Sequence, residues 1–403
     1  MRDRALAPGW TLFAAILLAI AAQLQAGFWI FNSDGALDEA SNDALNRQLF
    51  VSMLAYAWIV PTMLYWREIK SQIRFSSEIL LVLATLLSIA WSISPPETLR
   101  EAIKLLLFYL FALAVRGRLD REIIQRVILC SSAIIVGVSL AVAVAFPNYG
   151  VSIGSNAGSW QGIFIHKNQF GMFCALSLIV GLCTLSERKS AKLSLLVIGL
   201  SLAGVLLSNS GNALVTVIVA IWICACSIFI RRRRRGADRA LLWILFFAAT
   251  IFLLFAASVA VDLIFDHLQK DRTLTGRTAI WPQAIAGFRE SPLLGHGLSA
   301  FWKENSYYVN AGEAYIIPHA HNGYLDILLD LGLFGSVIFI AFATSKFRSG
   351  LKMASAGRNP SSLPFAVLIF VLVANFATSS LISPNYYFFL LVILHPNRRF
   401  AES

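Results

Sequence analysis

Charge is what this sequence has least of. Only 14% of its 403 residues are Asp, Glu, Lys or Arg, against about 25% in a water-soluble domain. With 58% hydrophobic residues beside that shortage, a soluble globular enzyme is excluded and a polytopic membrane protein is read instead. Cysteine is sparse, and none lies in a polar loop. Cys130, Cys174, Cys183, Cys224 and Cys226 all sit inside apolar runs, so no disulfide framework is implied. They read as small buried packing residues. Cys224-Ala-Cys226 lies mid-run and is no redox or metal motif. A signal-peptide cut site is missing too. The run "WTLFAAILLAIAAQLQAGFWI" (10–30) is too long for a signal core and reads as a retained first span.

What is present is a series of apolar runs near 10–30, 48–66, 78–94, 100–115, 127–146, 169–186, 193–208, 213–230, 240–264, 322–344, 363–382 and 385–396. The net charge of +11 gathers between them. Arg2 and Arg4 open the chain, and Arg67, Lys70 and Arg74 follow the second run. Arg116, Arg118, Arg121 and Arg126 follow the fourth, and Arg188, Lys189 and Lys192 the sixth. "RRRRRGADR" (231–239) follows the eighth, Lys346, Arg348, Lys352 and Arg358 the tenth, and Arg398 and Arg399 the last. Every second connection is basic, which places it in the cytoplasm. The charge thus anchors a membrane protein and is compatible with anionic lipid; nucleic-acid binding is not expected.

The expected fold is therefore all-α, with about twelve transmembrane helices and both termini cytoplasmic. Nine spans occupy 1–264, a large outer loop 265–321, and three spans with a cytoplasmic tail 322–403. That loop is rich in aromatics (Trp281, Phe288, Phe301, Trp302, Tyr307, Tyr308, Tyr315) and is expected to be ordered. Ile280, Trp281, Ala284, Ile285 and Phe288 recur at helical spacing. They predict an interfacial helix lying on the membrane, with Pro282 tolerable only in its first turn, followed by a turn at "SPLLGHG".

Basic and polar residues on the outer side run against the topogenic bias. They are Arg100, His166, Lys167, Asn168, Lys270, Arg272, Arg277, His319, His321 and Asn322. Topology puts all of them at one depth, so a shared site is one reading; Arg100 and Lys167 snorkelling to head groups is the other. His296 in "GHG" reads as a turn residue with a satisfied ring. His319-Ala-His321 puts both rings on one face only if extended, being about 200° apart on a helix. With no Asp, Glu or Cys at ligand spacing beside the pair, no metal is expected. Asn322 or His321 can cap the following helix, and Asp326 suits its dipole. Lys104 stands out as nearly the only charge inside a span. Guanidinium groups recognise phosphate oxygens, a near-neutral histidine takes a proton from a hydroxyl, and aromatic rings suit sugar faces. Together they suit glycan transfer from a lipid diphosphate carrier, among other chemistries.

The stretches "GRTAIWPQAIAGFRESPLLGHGLSAFW" (276–302) and "HAHNGYLDILLDLGLFGSVIF" (319–339) resemble the signature region of the O-antigen ligase and polymerase superfamily. "GIFIHKNQFGMF" (162–173) and "SNSGNALV" (208–215) are similar to its exopolysaccharide-polymerisation branch. The resemblance implies a metal-independent GT-C-type glycosyltransferase with no cofactor, in the bacterial inner membrane, its site facing the periplasm. The donor would be an undecaprenyl-diphosphate-linked oligosaccharide. The acceptor would be a second lipid-linked glycan for a polymerase, with a chain-length regulator as partner, or lipid A-core for a ligase. By the same resemblance His321 is the catalytic histidine and Arg277 the diphosphate-binding arginine. Arg100, Lys167, His166, Arg272, His319 and Asn322 would line the substrate site. The family's serine–arginine pair after the seventh span is not reproduced: Ser208-Asn209-Ser210-Gly211 stands there. A transporter or flippase of lipid-linked sugars, the remaining reading, would need ionisable residues deep in several spans and matching broken helices in two halves.

Overall fold

The computed structural model describes residues 65–73, 76–153, 156–187, 190–232, 277–305, 307–310, 313–316, 319–355 and 361–395, with the single residues 63 and 248. The spans expected at 10–30 and, but for a few single residues, at 48–66 and 240–264 lie outside them, as does Arg272. Where the apolar runs are described they are helical. The helices are Ser77–Leu87 with a 3-10 continuation Ser88–Trp91, Pro95–Arg118, Arg121–Ala145, Lys167–Ser186, Ala191–Leu207, Gly211–Arg232, Gly323–Ser355, Leu363–Ala374 and Tyr386–Ile393. Among the described residues, three segments, Arg121–Ala145, Lys167–Ser186 and Gly323–Ala354, are long and apolar enough to cross a membrane. Ala191–Leu207, Gly211–Ala225 and Leu363–Ala374 are shorter apolar helices.

Several ends differ from expectation for local reasons. The helix carrying Arg100 starts at Pro95, with prolines in its first two positions, where a missing N–H costs nothing. The 363–374 helix stops well short of 382 because Asn375 turns the chain. Its Nδ2 donates to the Val371 carbonyl at 2.7 Å, and its Oδ1 accepts from the Ser380 N–H at 2.7 Å. The basic connection after the second run, with Arg67 and Lys70, forms a short helix, Trp66–Gln72, rather than the expected loop.

The 167–186 helix runs through the middle of the bundle, packed against 121–145, 191–207, 211–232 and 363–374. Small residues make this close packing possible. A Cβ on Gly204 would collide with Cys174 Sγ, and one on Gly181 would lie 2.8 Å from Ile198 Cγ1. The opposite side of the 191–207 helix leaves Leu195, Leu196, Leu202 and Leu206 exposed, an apolar surface suited to lipid.

Buried charge is more plentiful than Lys104 alone. Glu78 lies between Arg116 and Lys346, all three side chains at most 7% exposed. Arg116 Nη1 is 3.2 Å from Glu78 Oε2 and also donates to the Val392 carbonyl at 3.2 Å. Arg116 and Lys346, read from the sequence as loop anchors, are therefore interior groups that tie 77–87, 95–118, 323–355 and 386–393 together. Lys104 itself pairs with Glu101.

The 265–321 segment holds the helix Arg277–Glu290, a short helix Ala300–Glu304 and an antiparallel hairpin, Tyr307–Asn310 with Glu313–Ile316, that periodicity did not announce. Pro282 lies inside the 277–290 helix rather than in its first turn. The helix holds because Ile280 and Ala284 are buried with Phe301, Trp302, Ala320 and Leu329 in a separate small core. Its apolar stripe is thus turned mainly into protein; Ile285 is the exposed member.

Candidate active site

The site begins with a break in a helix. Within Gly323–Ser355, Gly332 has φ 62° and ψ −158°, a region that only glycine occupies without strain. The break frees backbone groups on both sides, and the chain at 292–297 takes them up. His296 N donates to the Leu329 carbonyl at 2.7 Å and Gly297 N to the Asp330 carbonyl at 2.9 Å. In return Leu333 N donates to the Pro292 carbonyl and Phe334 N to the Leu293 carbonyl at 3.0 Å. Asp330 Oδ1 adds a bond from Ser299 N at 3.0 Å. The motif "SPLLGHG" is thus a backbone partner for "LDLGLFG". From the other side, Trp91 Nε1 donates to the Leu294 carbonyl at 2.9 Å, and Thr98 Oγ1 to the Leu298 carbonyl at 3.0 Å. His296 is buried with Nε2 2.8 Å from the Gly287 carbonyl, a satisfied turn residue as its sequence context indicates.

On this support stands the turn 319–322. Asn322, not His321, caps the helix: its Oδ1 accepts from Tyr324 N at 3.0 Å and Leu325 N at 3.3 Å, a cap worth about 1 kcal/mol. Gly323 N donates to the carbonyls of Asn375 and Thr378, which fastens the turn to the end of the 363–374 helix. His321 is left with φ 52°, a conformation rare outside glycine. His321 N donates to His319 Nδ1 at 3.2 Å, and the two rings meet edge to face with centroids 4.3 Å apart. The pair is therefore on one side of a bent turn without being extended. Burial lowers the pKa of His319; with Nδ1 accepting, the ring is neutral and carries its proton on Nε2.

Asp326 does not simply sit near a helix dipole. Its Oδ1 accepts from Ala320 N at 3.0 Å and from Trp302 Nε1 at 2.8 Å, linking the 323–355 helix, the histidine turn and the 300–304 helix. From the 277–290 helix, Trp281 Nε1 donates to the Ala320 carbonyl at 3.2 Å. That helix, which begins at Arg277, is therefore tied through Trp281 to the histidine turn.

The remaining candidates form other groups. His166 caps the 167–186 helix, Nδ1 accepting from Asn168 N at 3.1 Å. Burial and then neighbouring Lys167 lower its pKa. Lys167 Nζ lies 3.4 Å from Ser159 Oγ and 3.5 Å from the Asn209 carbonyl, and Ser210 Oγ donates to Asn168 Oδ1 at 2.9 Å. Gly171 permits this approach, since a Cβ there would lie 2.6 Å from Ser208 Oγ. "HKN" and "SNSG", distant in sequence, are thus one cluster, and its described bonds do not reach 319–322. Arg100 is paired with Glu97 and lies 3.6 Å from Glu101, so two carboxylates already balance its charge. Among the described residues, no group of three or more His, Cys, Asp or Glu side chains is arranged to hold a metal.

Residues 195–340 match the O-antigen ligase family, Wzy_C. The matched stretch runs from before the Ser208–Ser210 turn through the 277–290 helix and the histidine turn to beyond the Gly332 break. A curated relative, the exopolysaccharide production protein ExoQ of Rhizobium meliloti (strain 1021), is 26% identical over 384 residues, covering 88% of this chain and 85% of its own length. The chain is thus a membrane protein resembling the O-antigen ligase and polymerase superfamily on its exopolysaccharide side.

Reading for basic residues and histidines gave Asp326 only a helix-dipole role and passed over Asp330 and Asn375, which also shape the turn. The first two carried a signal: carboxylates at i and i+4 lie on one face of a helix, and acids within an apolar span are seldom idle. Asn375 carried none, because its role depends on contacts far away in sequence.

Proposed function

We propose that this protein is a polysaccharide polymerase. It joins undecaprenyl-diphosphate-linked oligosaccharide units into an exopolysaccharide at the periplasmic face of the inner membrane, within a twelve-span, GT-C-type architecture with both termini cytoplasmic. The observation that carries the reading is the juxtaposition at Ala320. One residue before His321, its carbonyl is held by Trp281 from the helix whose first turn bears Arg277. A proton acceptor on a turn tied to the helix that begins with an arginine suits glycosyl transfer from a diphosphate. The acceptor hydroxyl gives its proton to the His321 ring while its oxygen forms a bond to the anomeric carbon. The bond from that carbon to the diphosphate breaks, and the carrier diphosphate leaves with the electron pair. Arg277 offsets the charge that gathers on it. No step in this scheme requires a metal.

The relative's description as an exopolysaccharide production protein favours a polymerase. The family's description, O-antigen ligase, supports a second reading in which lipid A-core is the acceptor and the donor chemistry is unchanged. The test is replacement in cells. His321→Ala and Arg277→Ala should each lower polymer to below about 1% of wild type, with protein in the membrane unchanged by immunoblot. Wild-type polymer from either variant would remove that residue from the reaction.

A further inference from the structure

We infer that Asp326 is the positioning carboxylate of His321, holding the turn that presents the ring and stabilising the positive charge the ring acquires on taking a proton. This rests on the proposed role of His321. The bonds on Oδ1 fix the carboxylate to Ala320, the residue before the histidine, and to Trp302. Its other oxygen, Oδ2, is shut off from solvent and has no well-formed hydrogen bond, the Ser379 hydroxyl being the side chain near the carboxylate. Neutral groups alone (Ala320 N, Trp302 Nε1 and the nearby Ser379 hydroxyl) leave the carboxylate without a counter-cation in its hydrogen-bond set. The His321 ring is close enough to interact electrostatically with it. A buried polar atom left unpaired in this way calls for a role beyond packing. Purely structural bracing would be served equally well by an amide, which has the same shape and can accept the same two bonds.

Orientation and charge then act together. His321 adopts a left-handed backbone, which surrounding bonds must enforce. The carboxylate bond to Ala320 N is one of these, and the bond from His321 N to His319 Nδ1 is another. When the acceptor hydroxyl loses its proton, the ring becomes a cation within electrostatic reach of the carboxylate. Asp326 itself neither takes nor gives a proton. Other titratable side chains on the surrounding elements are His319 on the turn, Tyr324 and Asp330 on the near part of the 323–355 helix, Arg277, Arg289 and Glu290 on the 277–290 helix, His296 in the 292–297 chain, and Lys303 and Glu304 on the 300–304 helix. The 374–385 segment contributes none.

The experiment uses the full chain in nanodiscs, with histidine labelled at Cε1 and followed by NMR against pH; His321→Ala assigns the resonance. Asp326→Asn should move the His321 titration to lower pH, and Asp326→Glu should restore most of the wild-type position. In polymer formation, Asp326→Asn should lower kcat at least about tenfold with little change in KM, and displace the acid limb of the rate profile to lower pH. An unchanged His321 titration in Asp326→Asn, with wild-type kcat, would overturn the proposal and leave Asp326 a brace only. Failure of the His321 role would look different: polymer from His321→Ala, whatever the titration shows.

Discussion

At the scale of single residues, His319 and His321 divide the labour of one turn. His319 accepts a backbone bond and is kept neutral by burial; His321 sits on the strained residue beside it. A histidine held neutral in the fold binds fewer protons than the same residue unfolded. Its contribution to stability is therefore whole above the unfolded value of about 6.5 and is lost as pH falls below it, until the lowered folded value is passed. Thermal unfolding of the purified chain should show wild type losing stability from pH 7 to pH 5. His319→Asn, which keeps an acceptor but does not titrate, should lose less. Equal losses would show that His319 is not the group responsible. The histidines and Asn322 were legible in the sequence because they break a hydrophobic pattern. Asp326 was harder to see, since an acid in the first turn of a helix already has an ordinary explanation.

At the scale of elements, the decisive feature is a helix broken at Gly332 and repaired by the 292–297 chain. A Cβ at Gly332 would run into the Leu293 carbonyl, in a backbone region closed to other residues. Gly332→Ala should cost about 1–3 kcal/mol from strain alone and lower activity through the displaced turn, measurable as a reduced melting temperature and polymer yield. At the other junction, Glu78→Ala leaves Arg116 and Lys346 buried without their shared carboxylate. The expected loss is about 3–5 kcal/mol, seen as lower recovery of folded protein in detergent; unchanged stability would mean that water reaches the cations. Hydrophobic length and charged connections made most of the described helices legible. They could not reveal the hairpin at 307–316 or the backbone pairing of "SPLLGHG" with the Gly332 break. Both are joined by main-chain bonds that leave little trace in side-chain pattern.

At the scale of the whole molecule, the account needs the histidine turn and the 277–290 helix on the far side of the membrane from the arginine run at 231–235. A cysteine introduced at Ser306 should react with an impermeant thiol reagent on intact spheroplasts, and one at Gly236 should not; the reverse pattern would invert the topology. The alternation of basic connections supplied this map. Sequence alone did not divide the outer candidates into the histidine turn, the Lys167–Asn168 cluster on Ser208–Ser210, and the acid-paired Arg100, because that division depends on which helices are neighbours. The most direct test of the central claim is reconstitution of the purified chain with undecaprenyl-diphosphate oligosaccharide and no lipid A-core, with product size read on a gel. The account predicts a ladder of lengthening products from wild type and none from His321→Ala. No product until lipid A-core is supplied, and then a single shift, would contradict it and make the protein a ligase.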